Sequence, residues 1–408
     1  IDVATDREVT VIGGEVHRDV LEDYTRLLAE VVLSPGFAES DFTRHRQQLE
    51  TYLTTTLRAT NDELLGLEAL QQSLFAGHPY GHAPAGTVAG LAAITLDDVR
   101  DFYRRHYTQA NLMLGVAGGV PADYVAALQT TLGALPAGEA SGLTPLSAAP
   151  PLEGRRFTLI EKPTDSVGIH FGFPLPLTRA DADYYALMVA NSFLGEHRTF
   201  HGRLMQQLRG ERGLNYGDYS YIEYYESPPF TNTPTPGVPR RQQYFSVWIR
   251  PVQPPTAHFA LRAGLYEVDR LIERGLTAEE FDLTREFLLN YTKLWAQTLS
   301  ERLGFSMDSR YLGMPYWIDE IERRLGTLTV EQVNAAIKKY LSTASYQAVI
   351  VTQGAAAFQA ALEADAPSPM TYNSEKTAEV LAADKFIEAR QVAPTEITIV
   401  PVATMFER

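Results

Sequence analysis

The chemistry most easily read from this sequence lies in the run Leu208–Tyr221 (LRGERGLNYGDYSY), which packs two arginines, three glycines and three tyrosines together. Arg203–Arg209 reads as a helix with Leu204 and Leu208 on one face. Gly213 supplies the positive φ that ends it, and Tyr219–Tyr225 alternates into a strand. Arg209 then sits at a helix end and Tyr216 at a strand start. From there a guanidinium and a phenol can donate together to a carbonyl oxygen or a carboxylate. A structural Arg–Tyr contact at a domain seam has the same spacing, and spacing alone favours that plainer reading.

Other candidate groups are weaker. His197 and His201 stand at i, i+4 with Glu196 beside them, a spacing that on a helix can make two zinc ligands. The residues between them are Arg-Thr-Phe, with no glutamate, and a cationic Arg198 would repel a metal. Surface or capping histidines are expected instead. His78 and His82 flank Pro79, which forbids helical spacing, so Gly77–His82 reads as a turn after a helix. Asp97-Asp98, Glu279-Glu280 and Asp319–Glu322 read as helix N-termini and solvated faces. No Gly-x-Ser-x-Gly, phosphate-binding loop or dinucleotide fingerprint occurs. The absence of cysteine excludes disulfides, thiolate catalysis and cysteine-based zinc sites.

The elements that must hold these residues come from an internal repeat. The chain has 408 residues, 45% of them apolar and 21% charged, enough for two domains with their own cores. Leu96–Gly119 aligns with Val330–Gly354: each has a capping box (Thr95 with Asp98, Thr329 with Gln332), an amphipathic helix, a turn and an apolar strand. Upstream, Pro79-Tyr80 aligns with Pro315-Tyr316, and Pro35–Tyr52 with Arg274–Tyr291. Matching points leave about 110 residues at the head of the second copy and 27 at the head of the first, so roughly 80 residues of the first copy are expected upstream of Ile1. The division expected is a partial first half over 1–135, a Pro/Gly/Ala/Ser linker over 136–154, a complete second half over 155–365 and an extension over 366–408 ending in an apolar strand at 396–406. The proline-rich stretch Glu226–Arg241 is expected as an exposed loop.

A net charge of −15 with arginines scattered singly or in pairs argues against a nucleic-acid partner. No apolar run of 18 residues exists to form a membrane span. A cysteine-free chain is at home in cytoplasm or periplasm alike.

The duplicated halves, Leu74–Thr87, Ile94–Leu112 and Gly202–Tyr216 resemble the M16 metallopeptidases, the pitrilysin, insulinase and mitochondrial processing peptidase group. The resemblance implies an α+β fold of duplicated M16-type halves, each a mainly antiparallel sheet flanked by helices, closing like a clam around an extended peptide. It assigns Arg209 and Tyr216 to substrate binding and to stabilising the oxyanion of the attacked peptide bond. It implies zinc in the family, held by an H-x-x-E-H motif that occurs nowhere in these 408 residues. Its third ligand, a glutamate, aligns at or near Tyr52, with Glu50 offset by two. No metal is therefore expected on this chain alone. The expected role is a zinc metallopeptidase chain or its non-catalytic partner half, working with a peptide or unfolded polypeptide and a zinc-bearing partner subunit or upstream segment. The alternatives are an intact zinc endopeptidase with its motif upstream, and a structural or assembly protein that keeps the fold.

Overall fold

The computed structural model describes residues 1–139, 146–225 and 231–408. The first half opens with a hairpin, β1 (Asp2–Thr5) and β2 (Thr10–Gly13), paired antiparallel and largely exposed. Helices α1 (Leu21–Leu33) and α2 (Glu39–Thr51) follow, the latter continuing as a π-helix, Tyr52–Thr60. Next come α3 (Asp62–Leu74), α4 (Val88–Ala93), α5 (Leu96–His106) and α6 (Tyr124–Leu132).

The second half carries a six-stranded sheet. Its strands are β3 (Arg155–Glu161), β4 (Val167–Leu175), β5 (Asp218–Tyr221), β6 (Gln243–Val252), β7 (Tyr346–Thr352) and β8 (Glu396–Pro401), in the order β5-β6-β4-β7-β3-β8. Pairing is antiparallel from β5 to β7 and parallel across β7-β3-β8. Its helices are α7 (Ala182–Gly195), α8 (Ala257–Arg274), α9 (Ala278–Tyr291), α10 (Leu299–Tyr311), α11 (Trp317–Leu325), α12 (Val330–Tyr340), α13 (Ala355–Ala364) and α14 (Ala378–Ala389). Both capping boxes expected from the repeat are present, at Thr95 with Asp98 and at Thr329 with Gln332.

The sheet is buried on both faces, which is why its central strands read as nearly continuous apolar runs. Phe157, Ile169, Phe171, Val247 and Ile350 point into the core made by the second half's own helices. The opposite face is covered by the first half. Leu65, Ala69, Leu70 and Leu74 of α3 pack with Ile160, Tyr244, Val349 and Val351. Asn61 starts α3 by accepting a hydrogen bond from the Leu64 amide. Gly66 allows the close approach: a Cβ there would lie 2.4 Å from the His170 ring on β4.

Polar side chains complete this seam. Arg240 is buried over the Tyr224 ring, 3.5 Å away, and donates to Gln71 (3.0 Å) and Asp6 (3.3 Å). Glu8 accepts from Arg241, Tyr80 and Tyr311. The first half thus packs on the second half's sheet through an apolar cluster on that face and a polar seam.

Several sequence expectations are corrected. The strand expected at the end of the first copy is absent: residues 112–117 have no regular secondary structure and join no sheet among the described residues. Its counterpart β7 is held between β3 and β4, and the described first half offers only the β1–β2 hairpin. The strand expected over Tyr219–Tyr225 ends at Tyr221. That expected at 396–406 ends at Pro401, after which Met405 and Phe406 bury against the first half. Part of the linker (140–145) and of the proline-rich loop (226–230) lies outside the described residues.

Candidate functional site

Arg209 lies in a π-helical turn, Met205–Gly210, in which Glu211 N–H reaches back to the Gln206 carbonyl at 2.8 Å. Gly213, at φ +67°, ends the turn, and its amide donates to the Arg209 carbonyl at 2.9 Å. The chain then makes a tight turn into β5. Asn215 Nδ2 donates to Asp218 Oδ1 (2.7 Å) and to the Arg250 carbonyl (2.8 Å), and its Oδ1 accepts from the Gly217 amide (3.2 Å). Arg250, one strand inward, forms an ion pair with Glu63 of α3 at 2.7 Å. The turn carrying Tyr216 is thereby braced to the first half.

The Tyr216 ring is 78% exposed. Arg209 is half-buried, with its guanidinium carbon 5.1 Å from the centre of the Phe200 ring. No hydrogen bond joins Arg209 to Tyr216, and none ties either side chain to another group, among the described residues. Other arginines of this half, Arg179, Arg212, Arg250 and Arg262, each hold a carboxylate. Arg209 is therefore a cation with its donors free, steadied by an aromatic face.

The neighbouring Asp218 does not neutralise it. Burial pushes the Asp218 carboxyl up to about 8, against the lowering effects of Asn215, Arg250 and Arg209. At neutral pH Asp218 is protonated, and its Oδ2 has no partner.

The loop between α7 and this turn holds Phe200. Its two ends touch: a Cβ on Gly202 would lie 2.8 Å from Gly195 Cα. Arg198 adopts φ +52°. His197 points inward, against the expectation of a surface or capping residue, with its Nδ1 2.6 Å from the Tyr221 hydroxyl. The rings of Tyr219, Tyr221, Tyr225 and Trp248 surround it. Burial, with the nearby charge of Arg198, pulls its pKa down to about 3, so the imidazole is neutral. His201 is exposed and packs on Phe287, so the two histidines diverge.

The remaining candidates do not assemble into a metal centre. His78 spends its ring nitrogens on the Tyr80 amide and the Ser147 carbonyl, at 3.0 Å each. Glu50 is exposed on α2, and Tyr52 packs at the edge of the core under α3. Among the described residues no three histidine, aspartate or glutamate side chains converge, so this donor set does not fit zinc. No helix is long and apolar enough to cross a membrane among the described residues.

The sequence singled out Arg209 and Tyr216 but passed over Phe200, Asp218 and Arg250. The Asn215-x-x-Asp218 spacing, typical of a side-chain-closed turn, was the available signal for Asp218.

The family profile described as "Peptidase M16 inactive domain" matches residues 93–288. A protein of Helicobacter pylori named non-peptidase homolog YmxG is 24% identical over 343 residues, covering 83% of this chain and 74% of that protein. A Streptomyces coelicolor protein named uncharacterized zinc protease SCO5738 is 28% identical over 282 residues, covering 66% of this chain and 56% of its own length. Among solved structures, a peptidase M16 inactive domain from Pseudomonas fluorescens superposes with a TM-score of 0.70 at 25% identity, covering 82% of this chain and 75% of that one. The mostly antiparallel, helix-flanked sheet of this chain has the M16-type fold of that structure.

Proposed function

We propose that this chain is the non-catalytic half of an M16-type peptidase, presenting Arg209 and Tyr216 to an extended peptide whose cleavage is carried out elsewhere. The observation that carries the reading is the free, half-exposed Arg209 guanidinium, seven residues from an exposed Tyr216 hydroxyl on one braced turn. Uncompensated donors of this kind suit a peptide carbonyl, and more so the oxyanion that forms when it is attacked. Phe200 steadies the Arg209 guanidinium, and the Asn215 turn holds the backbone that carries Tyr216. Zinc chemistry belongs to a partner subunit or an upstream segment bearing the metal motif, since the described residues here do not supply the ligands. The family profile's description as an inactive domain, and the relative named as a non-peptidase homolog, agree with that division of labour.

The test is binding of a fluorescein-labelled unfolded polypeptide, followed by anisotropy. Arg209→Ala is expected to weaken binding by about 10-fold or more, the worth of a charge-assisted hydrogen bond, and Tyr216→Phe by about 3-fold. Unchanged affinity in both variants, with circular dichroism showing them folded, would sink the reading. The purified chain alone is expected to show no chelator-sensitive peptide hydrolysis.

A further inference from the structure

We propose that the C-terminal extension positions Arg209: a buried Arg212–Asp384 pair, with Tyr372 and Lys376, clamps the chain just beyond Arg209 and fixes where its side chain emerges. This rests on the reading of Arg209 as a peptide donor and names the residues that place it.

A π-helical turn is a rare conformation, and it persists where its surroundings hold it. Around Arg209 the main-chain carbonyls are taken one after another. That of Gln206 accepts from the Glu211 amide (2.8 Å), that of Leu208 from the Leu214 amide (3.1 Å) and that of Arg209 from the Gly213 amide (2.9 Å). The Gln207 carbonyl accepts from a side chain, Arg212 Nη1, at 2.8 Å. The Glu211 carbonyl accepts from Lys376 Nζ, which the extension supplies, at 2.6 Å. Both cations sit where a helix leaves carbonyls unpaired and its dipole is negative.

Arg212 is held by the extension in turn. Its Nε donates to Asp384 Oδ1 of α14 at 2.8 Å, and the Tyr372 hydroxyl donates to the other carboxylate oxygen, also at 2.8 Å. The Arg212 and Asp384 side chains are both buried. A buried ion pair adds little net stability over well-packed apolar side chains of similar size. What this one supplies is a fixed donor for the Gln207 carbonyl, two residues before Arg209. Among the described residues none of these groups bonds to the Arg209 side chain, so they act on it through the backbone.

The test removes both charges together, because removing one strands the other in the interior and can unfold the protein. Arg212→Met/Asp384→Leu is expected to stay folded by circular dichroism and to exchange the amides of residues 205–214 about 10-fold faster or more. It should bind a fluorescein-labelled unfolded polypeptide about as weakly as Arg209→Ala, and adding Arg209→Ala to it should weaken binding no further. A merely structural role would not produce that non-additivity. Lys376→Met, which loses a contact at the surface and leaves the ion pair intact, should shift exchange and affinity the same way at smaller amplitude. Unchanged exchange in the folded double variant overturns the proposal. So does an extra loss of affinity on adding Arg209→Ala, or faster exchange with affinity intact where Arg209→Ala itself weakens binding. If Arg209→Ala leaves binding unchanged, the donor reading falls, and the exchange of residues 205–214 still decides whether the extension holds the turn.

Discussion

At Asp218 the balance between burial and charge decides whether Arg209 is free to act. Two arginines and an asparagine lower its pKa, yet desolvation is the larger effect and leaves it near 8. An ionised Asp218 would be a ready counter-ion for Arg209; a protonated one is not. The linkage follows directly. A carboxyl with a folded pKa near 8 and an unfolded value near 4 stabilises the fold fully below pH 4. That contribution is lost as pH rises toward 8, at about 1.4 kcal/mol per pH unit. Asp218→Asn keeps the Asn215 contact and removes the proton. Its urea-denaturation stability is expected to fall less steeply between pH 5 and 8 than that of the unmodified protein. The comparison is needed because Glu196, raised by burial to about 7, adds a slope of the same sign in both proteins. Peptide binding by the unmodified protein should also weaken above pH 8, as Asp218 ionises against Arg209, and should stay level in Asp218→Asn. Parallel stability curves for the two proteins would show that Asp218 is charged throughout.

Helix α3 shows how local preference and packing can disagree. Replacing a mid-helix glycine by alanine ordinarily stabilises a helix by up to about 1 kcal/mol. At Gly66 the new methyl would meet the His170 ring at 2.4 Å, and that ring is fully buried, facing Trp248 across the sheet. Overpacking of about 1–3 kcal/mol therefore outweighs the helix gain, and Gly66→Ala is expected to destabilise in chemical denaturation. Adding His170→Ala should return part of that loss, because the methyl then fills space that the ring has left. Additive losses in the double variant would place the strain elsewhere. This contact also shows what the sequence could tell. Capping boxes at Thr95 and Thr329 are local, so the repeat could be read from residues alone. The same holds for the helix stop at Gly213, where the positive φ was foreseen. The pairing of Gly66 with His170, about a hundred residues apart, carries no local signal. Nor does the inward turn of His197, which depends on four rings supplied by two strands and a loop. Residues 112–117 read as a strand because their apolar run is local, whereas forming one needs a neighbouring strand to pair with.

Across the whole molecule, the chain's last residues tie the two halves together. β8 adds to β3 in parallel, with Arg156 and Glu396 paired at 2.8 Å, and the chain then crosses to the first half. There the Arg58 guanidinium donates to the Met405 carbonyl and the Glu407 carboxylate, at 2.7 Å each. The carbonyls of Phe406 and Glu407 accept from the amides of Val88 and Ala89, which open α4. Met405 and Phe406 lie in the same apolar cluster as Leu53, Leu57 and Phe75. Burying those two side chains is worth about 3–6 kcal/mol, a large share of the stability of an ordinary domain. The first half otherwise rests on α3 and the Arg240 seam, while its hairpin, α1 and α2 are mostly exposed. Deleting residues 402–408 is therefore expected to speed amide exchange in the π-helical stretch, α3 and α4. Helices α8 and α12, enclosed in the second half's own core, should keep their protection. Arg58→Ala should produce the same pattern at smaller amplitude, since it removes the polar clamp and leaves the two apolar anchors. Equal loosening of both halves would mean that the tail stabilises the sheet through β8 alone. The Arg209 turn is braced to α3 through Asn215, Arg250 of β6 and Glu63, so peptide binding should survive the deletion unless that brace is lost with it.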